Sequence, residues 1–132
     1  MLPRGVRFAT FLVGASAVAA SLLLSSPSAS QATEPGQLAF NNACRTCHMV
    51  KEGDNRLGPN LFKTVGRKAG SLANYNYSSA MKGADFIWDE EKLDRFIANP
   101  DEVVPGHSMK PYGGLTSKDE RAKIIAFLAQ SK

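Results

Sequence analysis

The sequence is poor in the residues that staple or specialise small proteins, with two cysteines, two histidines and one tryptophan in 132 residues. Two cysteines cannot build a disulfide scaffold, and the loop that Cys44 and Cys47 could close is too short to stabilise a fold. Charge of one sign is scarce as well. The formal net charge is +4, two of the cations are Arg4 and Arg7 near the start, and the rest are dispersed, which excludes a nucleic-acid footprint. Large apolar residues are also thin: from Thr33 onward Leu, Ile, Val and Phe number 20 in 100 residues, at the edge below which chains tend toward disorder. The length allows one domain, and a domain this lean needs more than side chains to fill its middle. A large covalently held group would serve.

What the chain does have begins with an address. Met1 to Arg7 carries two arginines and no acid, Phe8 to Leu24 is an apolar run broken by Thr10, Gly14, Ser16 and Ser21, and Ser25 to Ala32 is small and polar. Residues 1–32 therefore read as a signal peptide. Ser30-Gln31-Ala32 puts small residues at both positions a signal peptidase reads, so cleavage is expected after Ala32, with Ala29 as the alternative. The competing reading is an uncleaved membrane anchor through residues 8–24, because 17 residues fall just short of the roughly 18 that span a bilayer. In both cases residues 33–132 form the exported domain, in the periplasm, since the positive end stays in the cytoplasm.

Cys44-Arg45-Thr46-Cys47-His48 is the Cys-x-x-Cys-His pattern of covalent haem attachment. Two cysteines three apart lie on one helical turn, within reach of two vinyl groups on one porphyrin edge, and the next residue can aim its imidazole at the iron. A redox dithiol would want a βαβ setting, of which there is no sign. Zinc would want four ligands, and beyond this motif the chain offers one histidine, His107, and no cysteine. The cofactor expected is one haem c per chain, with His48 on the iron.

Coarse patterning yields helices and no strand. A helix is expected from Gly36 to Ala43, running into Cys44, with Pro35 in its first turn. Gly and Pro density makes residues 53–70 a loop. Asp89 caps a helix from Glu90 to Ala98, with Leu93, Phe96 and Ile97 on one face, stopped by Asn99-Pro100. Ser117-Lys118-Asp119-Glu120 reads as a capping box for a last helix that buries Ile124, Phe127 and Leu128. The fold class is all-α, three main helices and long loops wrapped around a bound haem.

Together these residues resemble a known family. Over residues 36–131 the chain is similar to class I c-type cytochromes, mitochondrial-type cytochrome c and its bacterial counterparts. The landmarks are Gly36 and Phe40, then Cys44, Cys47 and His48, then Gly58-Pro59-Asn60-Leu61, Gly66-Arg67-Lys68 and Tyr77. They continue with Trp88, Asn99-Pro100, Pro105-Gly106 followed by Met109, Gly114-Leu115, Ile124 and Phe127-Leu128.

The resemblance implies that Met109 is the second axial ligand, a soft thioether that favours reduced iron. Met49 and Met81 lack that context, and His107 is a second candidate ligand two positions away. It also implies that the backbone carbonyl of Pro59 receives the free N–H of His48, and that Arg67, Tyr77 and Trp88 hydrogen-bond the buried haem propionates. Several positions depart from the pattern. Phe96 stands where a tyrosine hydroxyl commonly faces the methionine sulfur, His107 replaces a threonine and Ser108 a lysine. One residue is deleted before Gly58 and one inserted between Met109 and Gly114.

An iron with both axial positions filled by protein is suited to moving single electrons, so the resemblance implies an electron carrier and no enzyme. Its expected donor is a quinol-cytochrome c oxidoreductase, and its acceptor a terminal oxidase, a peroxidase or a photosynthetic reaction centre. Lys51, Lys63, Lys82 and Lys110 are candidates for the docking face, with the acids Asp85, Asp89, Glu90, Glu91 and Asp94 expected away from it. A carrier that must expose its haem edge works as a monomer. Two alternatives remain: a relay tethered by residues 8–24, and a haem enzyme or sensor whose distal ligand leaves the iron.

Overall fold

The computed structural model describes Gly5 and residues 29–131. The arginines and the apolar run of the leader, and with them the anchor reading, lie outside the described residues. Five helices follow in order: α1 (Ala29–Ala43), α2 (Ser79–Lys82), α3 (Glu90–Ala98), α4 (Pro100–Val103) and α5 (Lys118–Gln130). Among the described residues there is no strand, and Lys68 and Ile87 form one isolated antiparallel bridge. The all-α expectation therefore holds, with α1, α3 and α5 as the main helices.

Helix α1 begins earlier than expected, so Pro35 lies inside it rather than in its first turn. The residues ahead of the proline include the helix formers Ala, Gln and Glu, and the helix runs through at the cost of the one ladder bond that the missing N–H forfeits. In a chain beginning at Thr33 the same proline would fall in the opening turn, where a helix accepts it.

The α3 boundaries match the sequence reading. Asp89 Oδ1 accepts the Lys92 N–H at 2.6 Å, and Leu93 and Phe96 are buried. Asn99-Pro100 does end α3, yet Pro100 also opens α4, because the first helical position has no use for the N–H that proline lacks. The capping box at α5 is half formed: Ser117 Oγ accepts the Glu120 N–H at 3.3 Å, while the Glu120 carboxylate takes Lys123 Nζ at 2.8 Å.

Helices α1 and α5 pack tightly. A methyl group at Gly36 would sit 2.7 Å from Lys123 O and 2.8 Å from Phe127 Cβ, so only glycine permits this approach. Next to that contact the Phe40 and Phe127 rings lie 5.4 Å apart, over buried Ile124 and Leu128. Arg121, also buried, joins α5 to α3 through Asp94 at 2.8 Å and donates to the Leu115 and Thr116 carbonyls, each at 2.8 Å.

The core is divided. One group gathers Ala69, Trp88, Leu93, Phe96, Val104 and Ile125, the other Ala39, Phe40, Ile124 and Leu128, and Ile97 packs against both. Residues of both groups line a shared cavity of about 370 Å³. The thin apolar content of the sequence thus shows itself as a space between two small cores.

Candidate functional site: a haem cavity

The cavity wall brings together every site residue expected from the sequence: Cys44, Cys47, His48, Pro59, Arg67, Tyr77, Trp88 and Met109. The attachment motif follows directly on α1. The Cys44 and Arg45 N–H groups both donate to Phe40 O, and the His48 N–H donates to Cys44 O at 2.9 Å, so the two cysteines and the histidine share one continuing helical turn.

His48 is buried, and its Nδ1–H donates to Pro59 O at 2.8 Å. A carbonyl can only accept, which fixes the tautomer and leaves the Nε2 lone pair for a metal. Burial lowers the pKa of the ring, opposed by the bond to Pro59, and favours the neutral form that coordinates. Gly58 lies flush against the imidazole: a Cβ there would stand 2.6 Å from Nδ1 and 2.7 Å from Nε2. The surrounding loop is stitched to the motif by Gly58 N–H to Cys47 O at 2.8 Å and Leu61 N–H to Met49 O at 2.7 Å. Asn55 Oδ1 accepts both the backbone and side-chain N–H groups of Asn60, at 2.9 and 2.8 Å.

Arg67 donates to Phe62 O and Asn60 O, each at 2.9 Å, and to Thr64 Oγ1 at 3.3 Å. Three of its five N–H groups are spent on the loop and two remain to meet an anion. Burial lowers its pKa, with a smaller opposing contribution from Tyr77, although a guanidinium stays charged at any physiological pH. Tyr77 stands edge-on to Tyr75 at 4.8 Å between ring centres. Trp88 is buried, stacked edge-on between Phe86 at 4.8 Å and Phe96 at 5.0 Å.

Several cavity residues are given no role by the sequence reading, among them Tyr75, Tyr112, Met81 and Leu57. Tyr75 donates its hydroxyl to Leu57 O at 2.8 Å, and Tyr112 donates to Ile97 O at 2.7 Å, its pKa pushed up to about 12, chiefly by burial. Met81 lines the cavity as Met109 does, although its sequence context marks nothing. Leu57 also lines it while remaining 77% exposed, an apolar residue at the rim. The signal available for Tyr75 and Tyr112 is an aromatic with a polar tip inside a loop, which must be anchored when half-buried. Of the four lysines proposed for docking, all exposed, Lys110 lines this cavity and is paired with Asp101 at 2.7 Å, whereas Lys51, Lys63 and Lys82 do not line it.

The donor set fits a covalently attached haem and little else. Cys44 and Cys47 are free thiols on the same wall, and burial, helped by the neighbouring Cys47, pushes Cys44 up to about 11. A redox dithiol requires the opposite shift. Among the described residues no cluster of three or more His, Cys, Asp and Glu could hold a bare metal ion. A flat glycine face beside an oriented imidazole, two thiols and an apolar cavity with a few convergent polar groups define a haem protein of the small all-α, covalently attached class.

Comparison with known proteins agrees. The Cytochrome c family model matches residues 33–132, so the chain belongs to the cytochrome c family, as a class I c-type cytochrome. It is 42% identical over 119 residues to cytochrome c2 of Rhodomicrobium vannielii, covering 86% of this chain and 91% of that protein. It is 36% identical over 99 residues to cytochrome c of Euglena viridis, covering 75% and 96%. Among solved structures, cytochrome cH from Methylobacterium extorquens superimposes with a TM-score of 0.66 at 34% identity, covering 73% of this chain and 95% of that one. The protein is a haem-based electron carrier rather than an enzyme, with covalent haem c as its cofactor.

Proposed function

We propose that residues 33–132 act, after export, as a periplasmic carrier of single electrons, with Cys44 and Cys47 as the haem thioethers and His48 and Met109 on the iron. The observation that carries the ligand reading is the 2.8 Å bond from His48 Nδ1 to Pro59 O, which leaves Nε2 free in a cavity that both thiols and Met109 also line. When bound, the haem supplies the one-electron couple. The chain's own residues hold it: the thioethers fix one edge, and Gly58 leaves room for the imidazole plane. Arg67, Tyr77 and Trp88 offer N–H and O–H groups to the propionates. With thioether and imidazole both provided by the chain, no position is open to oxygen or peroxide.

Met109 is favoured over Met81 by its setting. Met81 sits in the single turn α2, capped by Ser78 and Gly83, whereas Met109 belongs to an irregular loop between α4 and α5, free to present its side chain. The export reading rests on the leader, and among the described residues no helix is long and apolar enough to cross a membrane. The partners that fit are a quinol-oxidising complex as donor and a terminal oxidase, peroxidase or reaction centre as acceptor, met through the exposed haem edge by one monomer at a time.

Met109→Ala tests the ligand reading. The variant is expected to lose the sulfur-to-iron charge-transfer band of the oxidised protein, to bind carbon monoxide rapidly when reduced, and to fall in potential. Met81→Ala is expected to keep the band. The opposite pattern would move the ligand to Met81.

A further inference from the structure

His107 is 4% exposed, and one of its two ring nitrogens is hydrogen-bonded. Nδ1 accepts the Met109 backbone N–H at 2.9 Å, so the proton of the neutral ring sits on Nε2. Nε2 lies 3.2 Å from Asp101 Oδ1, off the direction of an aligned hydrogen bond, while Asp101 Oδ2 takes Lys110 Nζ at 2.7 Å. Residues on both sides of Met109 thus converge on one carboxylate of α4. The ring is also packed edge-on against Phe96 at 5.9 Å, and Phe96 in turn against Trp88. In this tautomer neither nitrogen offers a lone pair to a metal, because that of Nδ1 is occupied and Nε2 carries the proton. His107 therefore does not fit the role of an alternative iron ligand that its position suggested.

We propose that His107 is a positioning residue for the distal ligand: its Nδ1 accepts the Met109 N–H and so fixes that backbone, keeping the thioether on the cavity wall, while the Asp101 carboxylate lies beside the Nε2 proton that this tautomer carries. The inference rests on Met109 being the axial ligand. A thioether has no strong hydrogen-bonding group by which a neighbour could steer it, so its direction must be set from its main chain and by packing.

The test uses the haem-loaded mature protein with two substitutions. His107→Asn retains an acceptor oxygen close to where Nδ1 stands. His107→Gln carries its amide near the position of Nε2 and leaves the Met109 N–H without an acceptor. The measurements are the sulfur-to-iron band, the exchange rate of the Met109 amide hydrogen, and the affinity for added imidazole, which must displace the thioether. His107→Gln is expected to exchange faster and bind imidazole about fivefold to tenfold more tightly, the worth of one hydrogen bond, while His107→Asn stays within about twofold of the parent. Parental values in His107→Gln overturn the inference, as do equal changes in both variants, which would point to lost ring packing. A parent protein that itself lacks the band overturns the ligand reading, and the inference with it.

Discussion

His48 is gripped by its ring, through Nδ1 to Pro59 O at 2.8 Å and against the bare face of Gly58, whereas Met109 is tied through its main chain, N–H to His107 Nδ1 at 2.9 Å. The loop behind His48 is sewn up by Asn55, Asn60, Thr64 and Arg67, with carbonyls as the chief acceptors. The loop around Met109 depends on a few side chains reaching in from α4 and from its own length: Asp101, His107, Lys110 and Tyr112. The difference follows from the ligands. Imidazole has a second nitrogen to hold, while sulfur in a thioether has no donor and accepts weakly, so the two walls are built by different means and should yield to different substitutions.

The largest effect is expected on the His48 wall. Gly58→Ala forces a methyl group into the imidazole, and about 3 kcal/mol of stability should be lost in denaturant unfolding of the haem protein, because ring and loop backbone must both shift. Full parental stability would show that the ring has room to retreat. Arg67→Leu strips donors from the Asn60 and Phe62 carbonyls and should cost about 2 kcal/mol by the same measurement. Tyr112→Phe, in the loop that carries Met109, should cost about 1 kcal/mol, since Ile97 O retains the Leu115 N–H at 2.9 Å. Should Tyr112→Phe prove as damaging as Arg67→Leu, the contrast between a sewn wall and a lightly tied one is lost.

Legibility in the sequence follows the same division. Cys44, Cys47 and His48 are contiguous, so their chemistry can be read from spacing alone, and α3 and α5 announce themselves by Asp89 and Ser117. Met109 lies 61 positions after His48 and is recognised through resemblance, because no local pattern records that two loops share a cavity. Met81 shows the limit: its place on the cavity is set by a loop whose two ends close at the Lys68–Ile87 bridge, which a side chain's neighbours in sequence do not encode. The start of α1 departs from the sequence expectation for a local reason, since Pro35 marks a first turn only when nothing helical precedes it. Gly58 was read as part of a landmark, while its function, leaving a flat face for a ring ten residues upstream, emerges from the folded loop.

The clasp between α1 and α5 at Gly36 sets the order in which this molecule can be completed. The thiols stand some seventy residues ahead of the segment that seals Phe40 beneath Ile124 and Leu128, so a growing polypeptide presents them before its two ends can meet. Closure then joins helices at the two ends of the domain, the kind of distant pairing that makes folding slow. Loss of the last thirteen or so residues would therefore unseat the beginning of the domain as surely as its end.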